Sequence, residues 1–237
     1  MHYLYAVTGT PSDPPETLRG VDRAPIRYRR SGRLWAVLSP VAAAPEPTPL
    51  RLWQHTTVVE TAMLAGPVVP SSFATLARDE AELDALIEAH AGPLTAALDR
   101  LEGCVEVSLR VVRVMASPAL APGGDGSGAV PVDRLDPAVV VARRAARAQS
   151  EAEARRDALL YDVIRGAIEG SCEDLQVHPC SGPNVVLHAA CLVDWAVLDV
   201  LRRQVRELAG RYRELHFVCT GPWPPYHFAP PLNLPMR

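Results

Sequence analysis

Three prolines within four residues near the end of the chain restrict the backbone more than any other stretch of the sequence. They are Pro222, Pro224 and Pro225, and they follow an alternating segment, Glu214 to Val218, that is typical of a β-strand. Proline has no N–H to donate to a sheet ladder, and its ring fixes φ near about −65°. We therefore predict that a strand over 214–219 ends here and that the chain continues as a stiff, extended segment.

The extended tail, predicted over 220–237, has two alternative uses. As an intramolecular latch it would fold back and cover the protein's own core, with the Trp223 N–H and the Tyr226 O–H finding hydrogen-bond partners. As a docking surface it would present the same side chains from a backbone that loses little entropy on binding. The sequence leaves both uses open. The candidate partner-binding or latch residues are Pro222, Trp223, Pro224, Pro225, Tyr226 and Phe228.

From Cys104 onward, strand and helix patterns follow one another in the order β, α, β, β, α, β. The strands, which alternate apolar and polar residues, are predicted at 104–115, 174–178, 185–193 and 214–219. The helices are predicted from Pro137, after the N-cap Asp136, to Gly170, and from the cap Asp194 to Gly210. This order predicts a ferredoxin-like second domain over 103–237. Its loop 117–131 is rich in glycine and is predicted to be flexible.

The long helix that begins at Pro137 has two different halves. The first half is predicted to bury mostly alanine, namely Ala145, Ala148 and Ala152, and therefore to be mobile or in contact with a partner. The second half is predicted to face the core through Leu159, Leu160, Val163, Ile164 and Ile168.

The first part of the chain predicts a separate α+β domain over 1–102. Its strand candidates are 2–8, 26–30 and 34–38, the last two flanking Ser31-Gly32-Arg33 like the arms of a hairpin. A helix is predicted over 52–64, and a second over 80–101 that Gly92-Pro93 should kink or split in two. The chain is thus predicted to be α+β with two domains, each an antiparallel sheet with helices.

Charge and composition exclude several classes of protein. The chain has 24 basic and 27 acidic residues, so no basic stripe favours nucleic-acid binding. No apolar segment approaches the length of a membrane span, and Met1 to Tyr5 does not resemble an export signal. Five cysteines without CxxC spacing indicate reduced thiols. We expect a soluble, cytoplasmic protein with no nucleic-acid or membrane partner.

No residue pattern predicts catalysis, a metal site or a cofactor. Cys172, His178 and Cys180 form the only local group of metal-ligand types, and their spacing matches no standard zinc site. No Gly-x-Ser-x-Gly elbow or similar nucleophile turn is present. His90, on the apolar face of its helix, is expected to be an ordinary core histidine.

The stretch Thr220-Gly221-Pro222-Trp223-Pro224-Pro225-Tyr226 resembles the C-terminal signature of gas vesicle accessory proteins of the GvpL/GvpF family. Other matches occur in the family's order along the chain. They are Tyr3-Leu4-Tyr5, then Gly66-Pro67-Val68-Val69-Pro70 with Phe73 and Thr75, and the segment Leu187 to Asp194. The resemblance therefore covers nearly the whole chain.

The resemblance implies a non-catalytic accessory role in gas vesicle formation and a modified ferredoxin-like second domain. It also implies contact with the GvpA-type shell protein, with other accessory gas vesicle proteins, or with both. One departure concerns Pro70-Ser71-Ser72-Phe73-Ala74-Thr75, where many relatives read Pro-Met-Arg-Phe-Gly-Thr. A basic residue and a glycine are absent here, so a partner contact made by that arginine is not available to this chain.

An alternative from a different class is a ferredoxin-like enzyme or small-ligand-binding protein. Its ligand residues would be sought among His178, His188 and His90. A pocket with converging polar groups and perturbed pKa values would favour this alternative, whereas an apolar surface groove would favour the assembly role.

Overall fold

A computed structural model describes residues 1–114, 137–179 and 184–232, with the side chains of 137–169 described only in part. The strands are β1 (His2–Thr8), β2 (Arg27–Ser31), β3 (Leu34–Pro40), β4 (Val68–Pro70), β5 (Leu76–Ala77), β6 (Cys104–Arg113), β7 (Asp174–Val177), β8 (Val185–Asp194) and β9 (Leu215–Trp223). The helices are α1 (Pro49–Ala65), α2 (Glu80–Ala89), α3 (Ala91–Leu101), α4 (Pro137–Glu169) and α5 (Leu198–Arg211). The predicted α+β class, with two antiparallel sheets and their helices, is confirmed. The loop 117–131, Asp136, Cys180 and residues 233–237 of the tail lie outside the described residues.

The first sheet has the strand order β2-β3-β1-β4, with β5 also paired to β1. Every pair is antiparallel, and the predicted hairpin of β2 and β3 turns at Gly32, whose φ of 61° favours glycine. Helix α1 packs on one face through Val58, Val59 and Ala62. Helices α2 and α3 pack on the other face, so this sheet lies between two helical layers.

The second helical segment of the first half is split, as its proline predicts. Asp79 caps α2 by accepting the Glu82 N–H at 2.9 Å, and α2 ends at Ala89. Pro93 has no N–H to bond the Ala89 carbonyl, so the break falls at His90, one turn before the proline.

The second sheet has the strand order β7-β8-β6-β9, again antiparallel throughout. Its elements follow one another in the predicted order, from β6 through α4, β7, β8 and α5 to β9. One face packs on α4 and α5 in a single core cluster. The opposite face contributes Ala190 and Leu192 to the core that also contains α2 and α3. The two halves of the chain therefore share a core.

Helix α4 buries a narrower stripe than the sequence predicts. Leu160, Ile164 and Ile168 are buried at four-residue intervals, but Leu159 and Val163 are 67% and 46% exposed. The prediction that all five face the core is wrong, because α4 packs on the sheet through one row only. The predicted burial of alanine in its first half is also wrong where side chains are described, since Ala145 and Ala148 are exposed. Among the described residues, no helix has both the length and the hydropathy needed to cross a membrane.

Strand β9 continues through Pro222 and ends at Trp223, before Pro224 and Pro225. Its register passes from Thr220 opposite Ser108 to Trp223 opposite Glu106, so two residues of β9 oppose Val107 alone. This is a β-bulge that contains Gly221 and Pro222. A proline is tolerated there because β9 lies at the edge of the sheet and the bulge interrupts the ladder. The predicted strand end at Cys219 is therefore wrong by four residues.

Candidate docking site

The candidate residues of the tail divide into exposed and buried ones. Trp223 ends β9 with 38% of its surface exposed, and its indole N–H donates to the Thr220 hydroxyl at 3.3 Å. Tyr226 is 36% exposed, and partial burial, followed by the charges of Glu60 and Glu106, raises the pKa of its hydroxyl. The others are Pro222, which is half-buried, and Pro224, Pro225 and Phe228, which are buried.

Phe228 and Leu232 hold the tail in the core. They are 5% and 1% exposed and belong to the same cluster as Leu94 and Leu98 of α3. Residues Ala190 and Leu192 of β8 are in this cluster too. The tail thus packs against both halves of the chain, and Phe228 rather than Trp223 or Tyr226 fills the core.

Hydrogen bonds also tie the tail to the second sheet. Glu106 of β6 is only 4% exposed, and its carboxylate accepts the His227 backbone N–H at 2.9 Å. The other oxygen of the Glu106 carboxylate lies 2.6 Å from Nδ1 of the His227 imidazole. From β7, the Gln176 amide donates to the His227 carbonyl at 2.8 Å. The sequence does not predict this contact, because Glu106 occupies a polar position of an alternating strand and His227 lies 121 residues further along the chain.

Two of the three histidines considered for a ligand site lie close together beside the tail. The His178 ring centre lies 5.0 Å from that of His188 and 4.5 Å from that of His227. Burial, and then the charges of His227 and His188, lower the pKa of His178. Within the described part of the chain, no group of three or more His, Cys, Asp and Glu residues is arranged to hold a metal ion. His90 lies elsewhere, half-buried between α2 and α3, with Nδ1 at 2.9 Å from the Leu86 carbonyl.

An aromatic cluster between β1 and α1 contains His55, the histidine whose pKa departs most from its usual value among the described residues. His55 Nδ1 lies 3.0 Å from the Tyr3 hydroxyl, which also accepts the Ala74 N–H at 3.0 Å. Since Tyr3 accepts from Ala74, its own proton points to Nδ1, and neutral His55 carries its proton on Nε2. Burial lowers the pKa of His55 to about 4. Tyr226 of the tail reaches this cluster, with its ring centre 6.4 Å from that of His55.

A cleft of about 490 Å³ opens where the two halves of the chain meet, and its lining is mostly apolar. One wall is the segment Met63 to Val68, where α1 ends and β4 begins. The other wall is the turn Leu101 to Val105 between α3 and β6, with Trp195 and Pro225 completing the lining. We call this set of residues the apolar cleft.

Local sequence explains why the apolar cleft has this shape. The helix α1 stops at Gly66-Pro67, and the turn into β6 passes through Gly103, whose φ of 70° a larger residue would adopt at a cost. Asp194 accepts the Ala196 N–H at 2.6 Å, and the Trp195 N–H donates to the Gly103 carbonyl at 2.8 Å. The Trp195 backbone is therefore fixed while its indole remains at the rim.

Two large apolar side chains of the cleft are left in solvent. Leu64 is 76% exposed and Trp195 is 50% exposed. Of the described residues that form the lining, Glu102 alone is charged. Cys104 supplies a thiol, but burial, and then Asp194 and Glu173, raise its pKa, so it remains protonated at neutral pH. The cleft is suited to cover an apolar surface rather than to activate a small substrate.

A second groove, of about 830 Å³, lies between the β2–β3 hairpin and helices α2 and α3. Its lining contains two basic and three acidic residues: Arg30, Arg33, Asp84, Glu88 and Asp99. This mixture of charges selects no obvious ligand, so the apolar cleft is the better candidate site.

The structure accounts for part of the difference between residues 70–75 and the corresponding segment of many relatives. Ser71 is buried and its hydroxyl donates to the Leu4 carbonyl, whereas Ser72, in the place of the relatives' arginine, is exposed. Ala74 has a φ of 62°, a left-handed conformation, at the position where many relatives have glycine. The sequence could not reveal this conformation without the relatives' glycine as a guide.

The sequence predicts that Cys172, His178 and Cys180 do not form a zinc site. The Cys172 thiol donates to the Ile168 carbonyl at 3.3 Å and packs in the second core, where Cys191 is buried. A hydrogen bond with Cys172, and then burial, raise the pKa of Cys191. Both behave as small core residues. Cys180 lies outside the described residues.

Comparison with known proteins identifies relatives along the whole chain. Residues 1–230 match the family described as gas vesicle synthesis protein GvpL/GvpF. The chain is 32% identical to gas vesicle protein L of Streptomyces sp. (strain CB03234), over 97% of this chain and 92% of that protein. It is 26% identical to gas vesicle protein F2 of Halobacterium salinarum, over 95% and 90% of the two chains.

The fold is similar to two solved structures. Gas vesicle protein GvpF of Anabaena sp. PCC7120 superposes with a TM-score of 0.77 over 97% of this chain and 95% of that one. GvpF of Microcystis aeruginosa also gives a TM-score of 0.77, over 98% and 99%. Both are 17% identical in sequence, so the likeness concerns the fold alone.

Proposed function

The chain belongs to the GvpL/GvpF family of gas vesicle synthesis proteins, and on that premise we propose that it is a non-catalytic accessory protein that binds an amphipathic partner in the apolar cleft. Membership of the family supports a role in gas vesicle formation. The partner is a GvpA-type shell protein or another accessory gas vesicle protein, and the binding takes place in the cytoplasm, during assembly, without nucleic acid or membrane.

The observation that carries the proposal is the exposure of Leu64 and Trp195 in a lining with one charged residue. Covering a large apolar side chain contributes about 1.5–3 kcal/mol. Two such side chains in one cleft suit the apolar face of an amphipathic helix, which presents its residues at three- and four-residue intervals. A partner with such a face would gain most of its binding free energy from these contacts.

The positions of the residues with shifted pKa values favour a binding role over the alternative of an enzyme. The described groups whose pKa values shift most are His55, Tyr3, Tyr226 and Cys191, and none of the four lines the cleft. The cleft itself offers a protonated thiol and one carboxylate. A general acid–base reaction needs more converging polar groups than this.

The proposal is tested by co-purifying the protein with the GvpA-type shell protein and, separately, with each other accessory gas vesicle protein. The variant Leu64→Asp places a charge in the cleft, while Leu159→Asp makes the same change at an exposed leucine on α4. We expect Leu64→Asp to lose a partner that wild type and Leu159→Asp both retain. Equal retention by the two variants, or no partner for wild type, would contradict the proposal.

A further inference from the structure

Strand β9 is an edge strand with a long open side. In the described part of the chain it pairs with β6 on one side and with no strand on the other. Backbone groups along an antiparallel strand point alternately toward the partner and away from it. The open side of β9 therefore presents every second residue's N–H and C=O to whatever lies beside the sheet.

The hydrogen bonds show which residues of β9 point outward. The Val114 N–H donates to the Glu214 carbonyl at 2.9 Å, so position 214, and with it 216 and 218, faces β6. Positions 215, 217, 219 and 221 face outward. Two contacts agree, because the Leu215 N–H donates to the Tyr212 carbonyl and the Gly221 carbonyl accepts the Arg202 guanidinium. Phe217 and Cys219 lie between these two positions, and each presents its backbone N–H and C=O along the open edge.

Over residues 215–220 this edge has no charge and no proline to prevent pairing with another chain, because the β-bulge and Pro222 protect only its last residues. Natural proteins keep edge strands short or place charges on them. The edge strand β2 carries Arg27, Arg29 and Arg30, and the edge strand β7 has only four residues. By contrast, β9 has nine residues, and none of them is Asp, Glu, Lys or Arg. A long, uncharged edge is expected to be covered in use.

A groove beside the open edge indicates the chemistry of what covers it. The groove, of about 320 Å³, lies between α5 and β9 and is lined by Arg202, Val205, Arg206, Ala209, Phe217 and Cys219. Among the described residues its lining has two cations and no acidic residue, and Arg202 also lies 3.6 Å from the Asp199 carboxylate on the same helix. Burial raises the pKa of Cys219, and both guanidinium groups oppose that rise, so both lie near the thiol. The lining thus combines apolar contact with positive charge.

We propose that the open edge of β9 binds an extended segment of a second protein, which pairs with Phe217 and Cys219 as an additional strand and sets acidic side chains against Arg202 and Arg206. This surface is separate from the apolar cleft, and the proposal does not depend on the function assigned to that cleft. A second copy of this chain is the less suitable occupant. Pairing two β9 edges would bring the α5 helices of both copies side by side, with like charges facing.

The test uses a fluorescent heptapeptide, Thr-Val-Glu-Val-Glu-Val-Thr, and a matched peptide with lysine in place of glutamate. Fluorescence anisotropy measures the binding of each peptide to wild type, Arg206→Glu and Arg203→Glu. Arg203 is exposed on the same helix but does not line the groove, so its variant is a control with the same change in net charge. We expect wild type to bind the acidic peptide, Arg206→Glu to bind it about tenfold more weakly, and Arg203→Glu to match wild type.

Amide hydrogen exchange supplies the second readout. On binding the acidic peptide, the N–H groups of Phe217 and Cys219 should become protected, while those of the cleft residues do not change. The proposal is overturned if the lysine peptide binds equally well, or if both arginine variants behave alike. It is also overturned if no binding occurs below about 1 mM peptide, or if β9 is covered by a concentration-dependent dimer of this chain.

Discussion

Replacing Phe228 with alanine should cost the protein far more stability than replacing Trp223, although Trp223 belongs to the more conspicuous motif. Phe228 is 5% exposed within a core cluster that both halves of the chain build, whereas Trp223 is 38% exposed. Deleting a buried phenylalanine side chain typically costs about 3–5 kcal/mol, because the transfer free energy and the cavity both count. For Phe228→Ala we expect about 3 kcal/mol, the lower end of this range, because the flanking Ala229 and Pro230 are only half-buried and can relax into the space.

For Trp223→Ala the expected cost is about 1 kcal/mol, because only part of the indole surface is buried and its one hydrogen bond is to an exposed hydroxyl. Urea denaturation followed by circular dichroism measures both values under the same conditions, and the m-value checks that the transition is unchanged. If Trp223→Ala were as destabilising as Phe228→Ala, or if Phe228→Ala were within about 0.5 kcal/mol of wild type, the packing argument would be refuted.

Three further perturbations follow from individual contacts. The pKa of His55 is lowered from 6.5 to about 4, so the folded state binds fewer protons than the unfolded state. The free energy of unfolding should therefore fall by about 3 kcal/mol as the pH drops from 6.5 to 4. His55→Gln should flatten this dependence in a pH series of urea titrations, and an unchanged slope would show that other groups cause it. Glu106→Gln weakens the hydrogen bonds to His227, so we expect the free energy of unfolding to fall by about 1–2 kcal/mol. Carboxypeptidase should also cleave the tail of this variant faster than that of wild type. Equal cleavage rates would contradict the role of Glu106 in holding the tail. Ala74→Gly relieves the left-handed strain and should raise stability by about 0.5–1 kcal/mol, measured by thermal melting; a lower melting temperature would argue against that conformation.

The sequence predicted most of the elements because their signals are local. Asp79 before α2, the proline at the start of α4 and the apolar stripe of α5 each act within a few residues, and the α+β class followed from their order. The hairpin around Gly32 is local in the same way. Such signals survive in the structure because no distant contact opposes them.

The failures concern features that depend on distant contacts. Nothing near Pro222 indicates that β9 is an edge strand, so the continuation of the strand to Trp223 could not be foreseen. The exposure of Leu159 depends on how narrow the contact of α4 with the sheet is. The tie between Glu106 and His227 joins residues far apart in the chain, and a single sequence carries no signal of such pairs.

The candidate site shows the same limit. The tail residues were found from their own stiffness and aromatic content, but the apolar cleft was not, because Leu64 and Trp195 come together only through the fold. A lone exposed leucine at a helix end, or a tryptophan after a cap, is unremarkable in a sequence. Only their position in one cleft marks them as a candidate binding surface.

The central claim is tested most directly by a photo-crosslinking amino acid placed at Leu64 in cells that form gas vesicles, with mass spectrometry of the crosslinked peptides. The same amino acid at Leu159, another exposed leucine, is the control. If the apolar cleft binds an amphipathic gas vesicle protein, position 64 should crosslink to apolar residues spaced three or four apart in one such protein, and position 159 should not. Crosslinks from position 159 alone, or none to any gas vesicle protein from position 64, would contradict the account.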